Sequence, residues 1–271
     1  MLTQAWRWFT HQLDEIDAQA NALTRPGLPG WHTVTVVIAA TVLLGFLAMG
    51  VNNLELRRMA ADALLTGLDL DAGLGSEALE NRRGFMSNLT WAGGCLVGYL
   101  LVPALIVRLV FRRRMADFGW TTVGCLRHMR LYGLLFLPVA LLVVGMSFDP
   151  SFQQTYPFYF EPESLLALLI WELAYGLQFL SLEFFFRGFL LHGLKHRYGH
   201  AAIWVMLIPY VMIHFTKPPA EAAGAILAGT VLGVLSLRTG SIFGGVLVHI
   251  SVAWMMDLLS LWQRGVLGAI W

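Results

Sequence analysis

The sequence predicts an all-α, polytopic membrane protein with about seven transmembrane helices. Three observations carry that reading. Of the 271 residues, 57% are hydrophobic and 13% charged, with a mean hydropathy of +0.65, whereas soluble domains carry roughly 25% charged residues. The apolar residues fall in several runs close to the roughly 20 residues that a helix needs to cross the hydrocarbon layer. Backbone inside a bilayer must satisfy its own hydrogen bonds, and the short alternating segments of a barrel are absent from the sequence, so the runs read as helices.

Three segments follow in order: 1–30, an N-terminal amphipathic interfacial segment; 31–163, N-terminal transmembrane helices and loops; and 164–271, the segment that holds the chemistry. In the first, Leu2, Trp6, Phe9, Leu13 and Ile16 recur at three- and four-residue spacing and share one helical face. Such a helix lies on the membrane surface or docks on the protein's own core. It is too polar and too long to read as a signal peptide. Pro26-Gly27 and Pro29-Gly30 then break the chain.

The first span is expected at about 31–51. A polar stretch from Asn52 to Met86 follows, with Leu54, Leu56, Met59 and Leu64 suited to a short interfacial helix. The second span is expected at 89–111, closed by Arg108 and Arg112 to Arg114, and the third at 131–148, entered through Arg127 and Arg130. Residues 164–194 form an apolar run too long for one perpendicular span. The fifth span is expected at 201–215, the sixth at 220–237 and the seventh at 242–262. Trp31, Tyr132, Trp262 and Trp271 stand near span ends, where aromatic anchors sit. Ala220, Ala223, Gly224, Ala228 and Gly229 suit close helix packing in the sixth span.

Loop charge sets the expected orientation. With the N-terminus cytoplasmic, the inner segments hold Arg7, Arg25, Arg112 to Arg114, Arg127, Arg130, Lys195, Arg197 and Arg238. The outer segments hold Arg57, Arg58, Arg82, Arg83, Lys217 and Arg264, so the bias favours N-inside. A net charge of +1 without a basic tract gives no reason to expect nucleic acid. Arg greatly outnumbers Lys, which occurs only at 195 and 217, and with abundant Ala, Gly and Leu this points to a GC-rich bacterial genome and its inner membrane. Cys95 and Cys125 fall in different environments, and no disulfide is expected between them.

Ionisable residues deep in a span cost roughly 2.5–3.5 kcal/mol each on insertion scales, so each is a functional candidate. Glu183, Arg187, His214 and His249 stand out. Glu183 and Arg187 are four apart, on one helical face and within reach of each other. Gly188 allows a close approach by a neighbouring element. From the inner ends of their segments, Glu183 lies about 15 Å deep, His249 about 12 Å and His214 about 20 Å at 1.5 Å per residue, which is compatible with one cavity between tilted helices. Each has a plainer reading: a structural ion pair for Glu183 and Arg187, and hydrogen-bonded structural histidines for His214 and His249. His192, His196 and His200 recur every four residues, a spacing open to metal binding or to a solvated helix end.

Leu182-Glu183-Phe184-Phe185-Phe186-Arg187-Gly188 resembles the first motif, E-E-x-x-x-R, of the CPBP family. These are the CAAX-processing and bacteriocin-processing (Abi) intramembrane endopeptidases. Tyr210 to His214 is similar to the family's second motif, F-x-x-x-H, and His249 to Ala253 to its third, H-x-x-x-N. Order and spacing match over about 164–259. The resemblance implies a C-terminal four-helix CPBP-like core and a peptide or protein substrate in the lipid bilayer. It also implies water activated by a glutamate and a histidine, with the other histidine at the oxyanion. On this sequence the base is Glu183, positioned by Arg187, with His214 sharing water activation and His249 stabilising the oxyanion. No cofactor is expected, although two histidines and a glutamate can also hold Zn²⁺. Two departures stand out. Leu182 occupies the place of the first glutamate, and Ala253 that of the polar third-motif residue. Adjacent helical positions point about 100° apart, so Glu183 cannot occupy the place of Leu182 without a rotation. These departures keep a second reading open, a catalytically altered member acting as a membrane chaperone, binding or immunity protein. Glu172, three turns earlier, and Asp257, two turns past His249, are further buried acids. A small transporter is a third reading, but it lacks the internal repeat expected of one.

Overall fold

The structure, a computed structural model, describes residues 2–22, 30–159, 161–217 and 219–269. Arg25, Pro26, Gly27, Pro29, Pro218 and Trp271 lie outside the described residues. Among the described residues, the protein is 83% helical and has no strand. Its helices are α1 (Leu2–Ala22), α2 (Gly30–Val51), α3 (Leu54–Gly67), α4 (Ser76–Val110), α5 (Val123–Arg127), α6 (Met129–Met146), α7 (Pro150–Thr155), α8 (Leu165–Tyr198), α9 (Ala201–Met212), α10 (Pro219–Thr239) and α11 (Phe243–Gln263). Helices α2, α4, α6, α8, α10 and α11 are long and apolar enough to cross a membrane. The chain is an integral, polytopic helical membrane protein. The expected fifth span is the short apolar helix α9, whose regular turns end before His214.

Boundaries agree closely with hydropathy except in α4. This helix begins at Ser76, well before the expected start at 89, because the polar residues of its first turns have partners. Arg83 pairs with Asp62 at 2.5 Å and with Glu80 at 2.7 Å, and Arg82 with Glu163 at 3.1 Å. The interfacial helix expected after the first span is α3, capped by Asn53, whose side chain accepts from the N–H groups of Glu55 and Leu56.

The chain divides into two compact units. The first comprises 1–42, 100–129 and 182–246; the second comprises 43–99, 130–181 and 247–271. In the first unit, α1 is tied down at its C-terminal half. Asp17 accepts from the His200 backbone N–H and pairs with its ring, both at 2.8 Å, and Glu15 pairs with Arg238. Of its apolar face, Ile16 is buried, whereas Trp6 is 65% exposed. This helix therefore docks on its own unit through its second half. A 3₁₀ turn, Met115–Phe118, ends in Gly119 with φ +80, which a side chain would strain. The Gly119 carbonyl accepts from Ile242 N–H at 2.9 Å. Span packing is tight at Gly229, where a Cβ would collide with Leu207 and Tyr210, while around Gly224 there is open space.

The second unit is built on aromatic packing. Trp171 stacks on Tyr175 at 5.1 Å, and both belong to a core with Tyr159, Leu168, Ala253 and Leu261. Tyr132, expected as an interfacial anchor, is instead buried, while Trp31 and Trp262 are exposed as anchors require. Cys95 and Cys125 are both buried free thiols.

Candidate active site

Helix α8 changes character at Glu183. Its α-helical part ends there, and Phe184–His192 forms a π-helical stretch with all nine residues buried. Shorter π-helical stretches also occur at Leu47–Val51 in α2 and at Leu96–Leu101 and Ile106–Val110 in α4, so it is the complete burial of this one that sets it apart. The i→i+5 turns of a π-helix are wider than α-turns, so the residues after Glu183 point in directions that α-helical face arithmetic does not give.

Arg187 turns back on Glu183. Its Nη1 lies 2.9 Å from Glu183 Oε1, and neither side chain exposes any surface. Phe184, Phe185 and Phe186 are likewise fully buried beside the pair. Phe184 meets Trp120 edge-on at 5.5 Å, and Phe186 meets Tyr210 edge-on at 5.3 Å. Gly188 lets the helix approach the 3₁₀ turn: a Cβ there would stand 3.0 Å from the Phe118 carbonyl oxygen.

Tyr210, on α9, extends the arrangement. The Arg187 guanidinium carbon stands 4.1 Å from the centre of the Tyr210 ring, a cation–π contact. The His214 ring packs on the same tyrosine at 4.9 Å, and His214 Nδ1 lies 2.7 Å from the Tyr210 carbonyl oxygen. In the neutral ring this makes Nδ1 the donor and Nε2 the basic nitrogen. Glu183, Arg187, Tyr210 and His214 thus form a continuous line of contacts within the first unit. Three of the four expected site residues are in that line. Tyr210, noted in the sequence as part of a motif, is the physical link between them.

His249 lies on α11 in the second unit, where its ring stacks on Phe179 at 5.6 Å. Leu182 is buried in the first unit. Ala253 is 2% exposed in the aromatic core of the second. Neither position offers a polar group. Glu172 and Asp257 also belong to the second unit, where Trp171 Nε1 donates to Asp257 Oδ2 at 3.0 Å. Of the three recurring histidines, His192 and His200 have separate attachments. His192 Nε2 lies 3.1 Å from Ser236 Oγ, its Nδ1 is 2.8 Å from Lys195 Nζ, and His200 is held by Asp17. Among the described residues, no group of three or more His, Cys, Asp or Glu side chains could hold a metal ion.

The chemistry available in the first unit is that of a carboxylate and a guanidinium enclosed among aromatic rings, with a half-buried imidazole beside them. Charge developing there interacts more strongly than it would in water. Comparison with known proteins agrees with the motifs. Residues 161–255 match the family model described as Rce1-like: Type II CAAX prenyl endopeptidase Rce1-like, which is consistent with the CPBP family. The matched stretch contains both histidines, Glu183, Arg187 and Tyr210. No curated protein and no solved structure matches the chain.

Proposed function

We propose that this protein is an intramembrane endopeptidase of glutamic type, cutting a membrane-tethered or leader-bearing peptide or protein. The observation that carries the reading is the contact line Glu183–Arg187–Tyr210–His214 inside the family-matched stretch. Glu183 is the general base, held by Arg187. His214, with Nδ1 committed to a backbone carbonyl, offers Nε2 to the same water. The water oxygen bonds to the peptide carbonyl carbon and its proton passes to the carboxylate. The family resemblance gives His249 the role of stabilising the carbonyl oxygen as it gains charge. The C–N bond then breaks, and the proton held by Glu183 moves to the departing amine. Glu183 and Arg187 are enclosed, so water and substrate enter only as the neighbouring side chains move aside. The protein works in a bacterial inner membrane with its N-terminus in the cytoplasm, in keeping with the Arg distribution among its loops.

A specific observation favours a second reading. Leu182 and Ala253 stand at two motif positions, and both are apolar and buried. A catalytically altered member would bind hydrophobic peptides or partner membrane proteins as a chaperone or immunity protein.

Mass spectrometry of new protein termini separates the two. Cells carrying wild type are compared with cells carrying Glu183→Gln at equal membrane levels. The protease reading expects a specific set of termini to vanish in the variant. An unchanged set, in cells where deletion of the whole protein does alter behaviour, overturns it in favour of the binding protein.

A further inference from the structure

The Glu183 carboxylate is bounded on a second side, opposite in kind to Arg187. It lies against Gly245, in the first turn of α11 and in the same unit as Glu183. A Cβ on Gly245 would stand 2.9 Å from Glu183 Cδ and would overlap Oε2. The Gly245 backbone is ordinary helix, so its conformation does not call for glycine; the missing side chain does. A glycine inside a helix is destabilising relative to alanine, which makes such a position informative when the empty space is filled by a functional group. Arg187 holds Oε1 at 2.9 Å, and Gly245 leaves the volume into which Oε2 fits. The first turn of a helix also presents its positive end, which favours an anionic neighbour.

We infer that Gly245 is a positioning residue that seats the Glu183 carboxylate, and that any side chain at 245 displaces the carboxylate from Arg187. The catalytic part of this inference rests on Glu183 being the base; the seat itself does not.

The test is a stability cycle and a cleavage assay on the full-length protein. Gly245→Ala is made in wild type and in a background with the pair removed, Glu183→Ala with Arg187→Met. In wild type the midpoint of thermal unfolding should fall by several degrees, since each kcal/mol moves a domain of this size by roughly 2–4 °C. In the pair-free background it should stay unchanged or rise, because no carboxylate remains for the Cβ to meet. An equal fall in both backgrounds overturns the seat. Should the pair-free background fail to fold, Glu183→Asp replaces it. Its carboxylate is one methylene shorter, and Gly245→Ala should then cost clearly less than in wild type, an undiminished cost again overturning the seat. In cleavage, Gly245→Ala should lower turnover at least about tenfold and shift the acidic limb of the pH profile. Gly145→Ala, at a position with open space around it, should change neither. Stability coupling without any Glu183-dependent cleavage leaves the seat standing and removes the protease reading. Glu183-dependent cleavage without the coupling does the reverse.

Discussion

The Tyr210 ring lies under the Arg187 guanidinium at 4.1 Å, and the same ring carries His214 at 4.9 Å. One aromatic side chain thus fixes the cation that holds the candidate base and the imidazole beside it. Desolvated cation–π contacts contribute about 2 kcal/mol. Tyr210→Leu should therefore lower both thermal stability and processing, the latter at least about tenfold. Tyr210→Phe keeps the ring face and should stay much closer to wild type in both. Equal losses in the two variants would assign the role of Tyr210 to its hydroxyl.

Arg187 and Glu183 are fully enclosed, so breaking the pair differs from removing it. Deleting one partner of a buried pair leaves an uncompensated charge and costs about 3–5 kcal/mol. Arg187→Gln should show that loss in thermal unfolding of the purified protein. Glu183→Gln with Arg187→Gln should recover a large part of it, while remaining inactive in any processing assay. If the double variant is as unstable as the single one, the two residues are not energetically paired.

Much of this was legible in the sequence, and the misses have physical causes. Hydropathy located α2, α6, α8, α10 and α11 to within a few residues, because the bilayer imposes length and apolarity together. It missed the start of α4, where Arg82 and Arg83 look like loop residues until Asp62, Glu80 and Glu163 are brought to them by the fold. The pairing of Glu183 with Arg187 was legible from spacing alone. The π-helical turns after Glu183 were not, since an i→i+5 ladder has no residue signature. The seat at Gly245 was equally hidden: Gly244 and Gly245 resemble any small-residue step until Glu183 is placed against the second of them.

Metal removal separates the glutamic from the metal-dependent form of the protease reading. Glu183 Oε1 faces Arg187, and His214 Nδ1 faces the Tyr210 carbonyl. The proposed mechanism accordingly draws on side chains alone. Cleavage by the purified protein should be unchanged within about twofold after prolonged dialysis against a strong chelator, and added Zn²⁺ should not stimulate it. Loss on chelation with recovery on adding Zn²⁺ would assign the water to a metal.

Ala253 decides how far the site can be rebuilt toward the motif it resembles. Its side chain is 2% exposed among Tyr159, Leu168, Trp171, Tyr175 and Leu261. Asn at this position would add volume to a packed aromatic core, at about 1–3 kcal/mol. It would also bury an amide, at about 1–3 kcal/mol unless it finds a partner. Ala253→Asn should therefore lower the unfolding midpoint by several degrees and should not raise processing. Ala253→Ser, smaller and able to bond back to its own helix, should be tolerated. A rise in cleavage with Ala253→Asn at undiminished stability would mean that position 253 retains room for a donor, and that its alanine is a loss of function in an otherwise intact site.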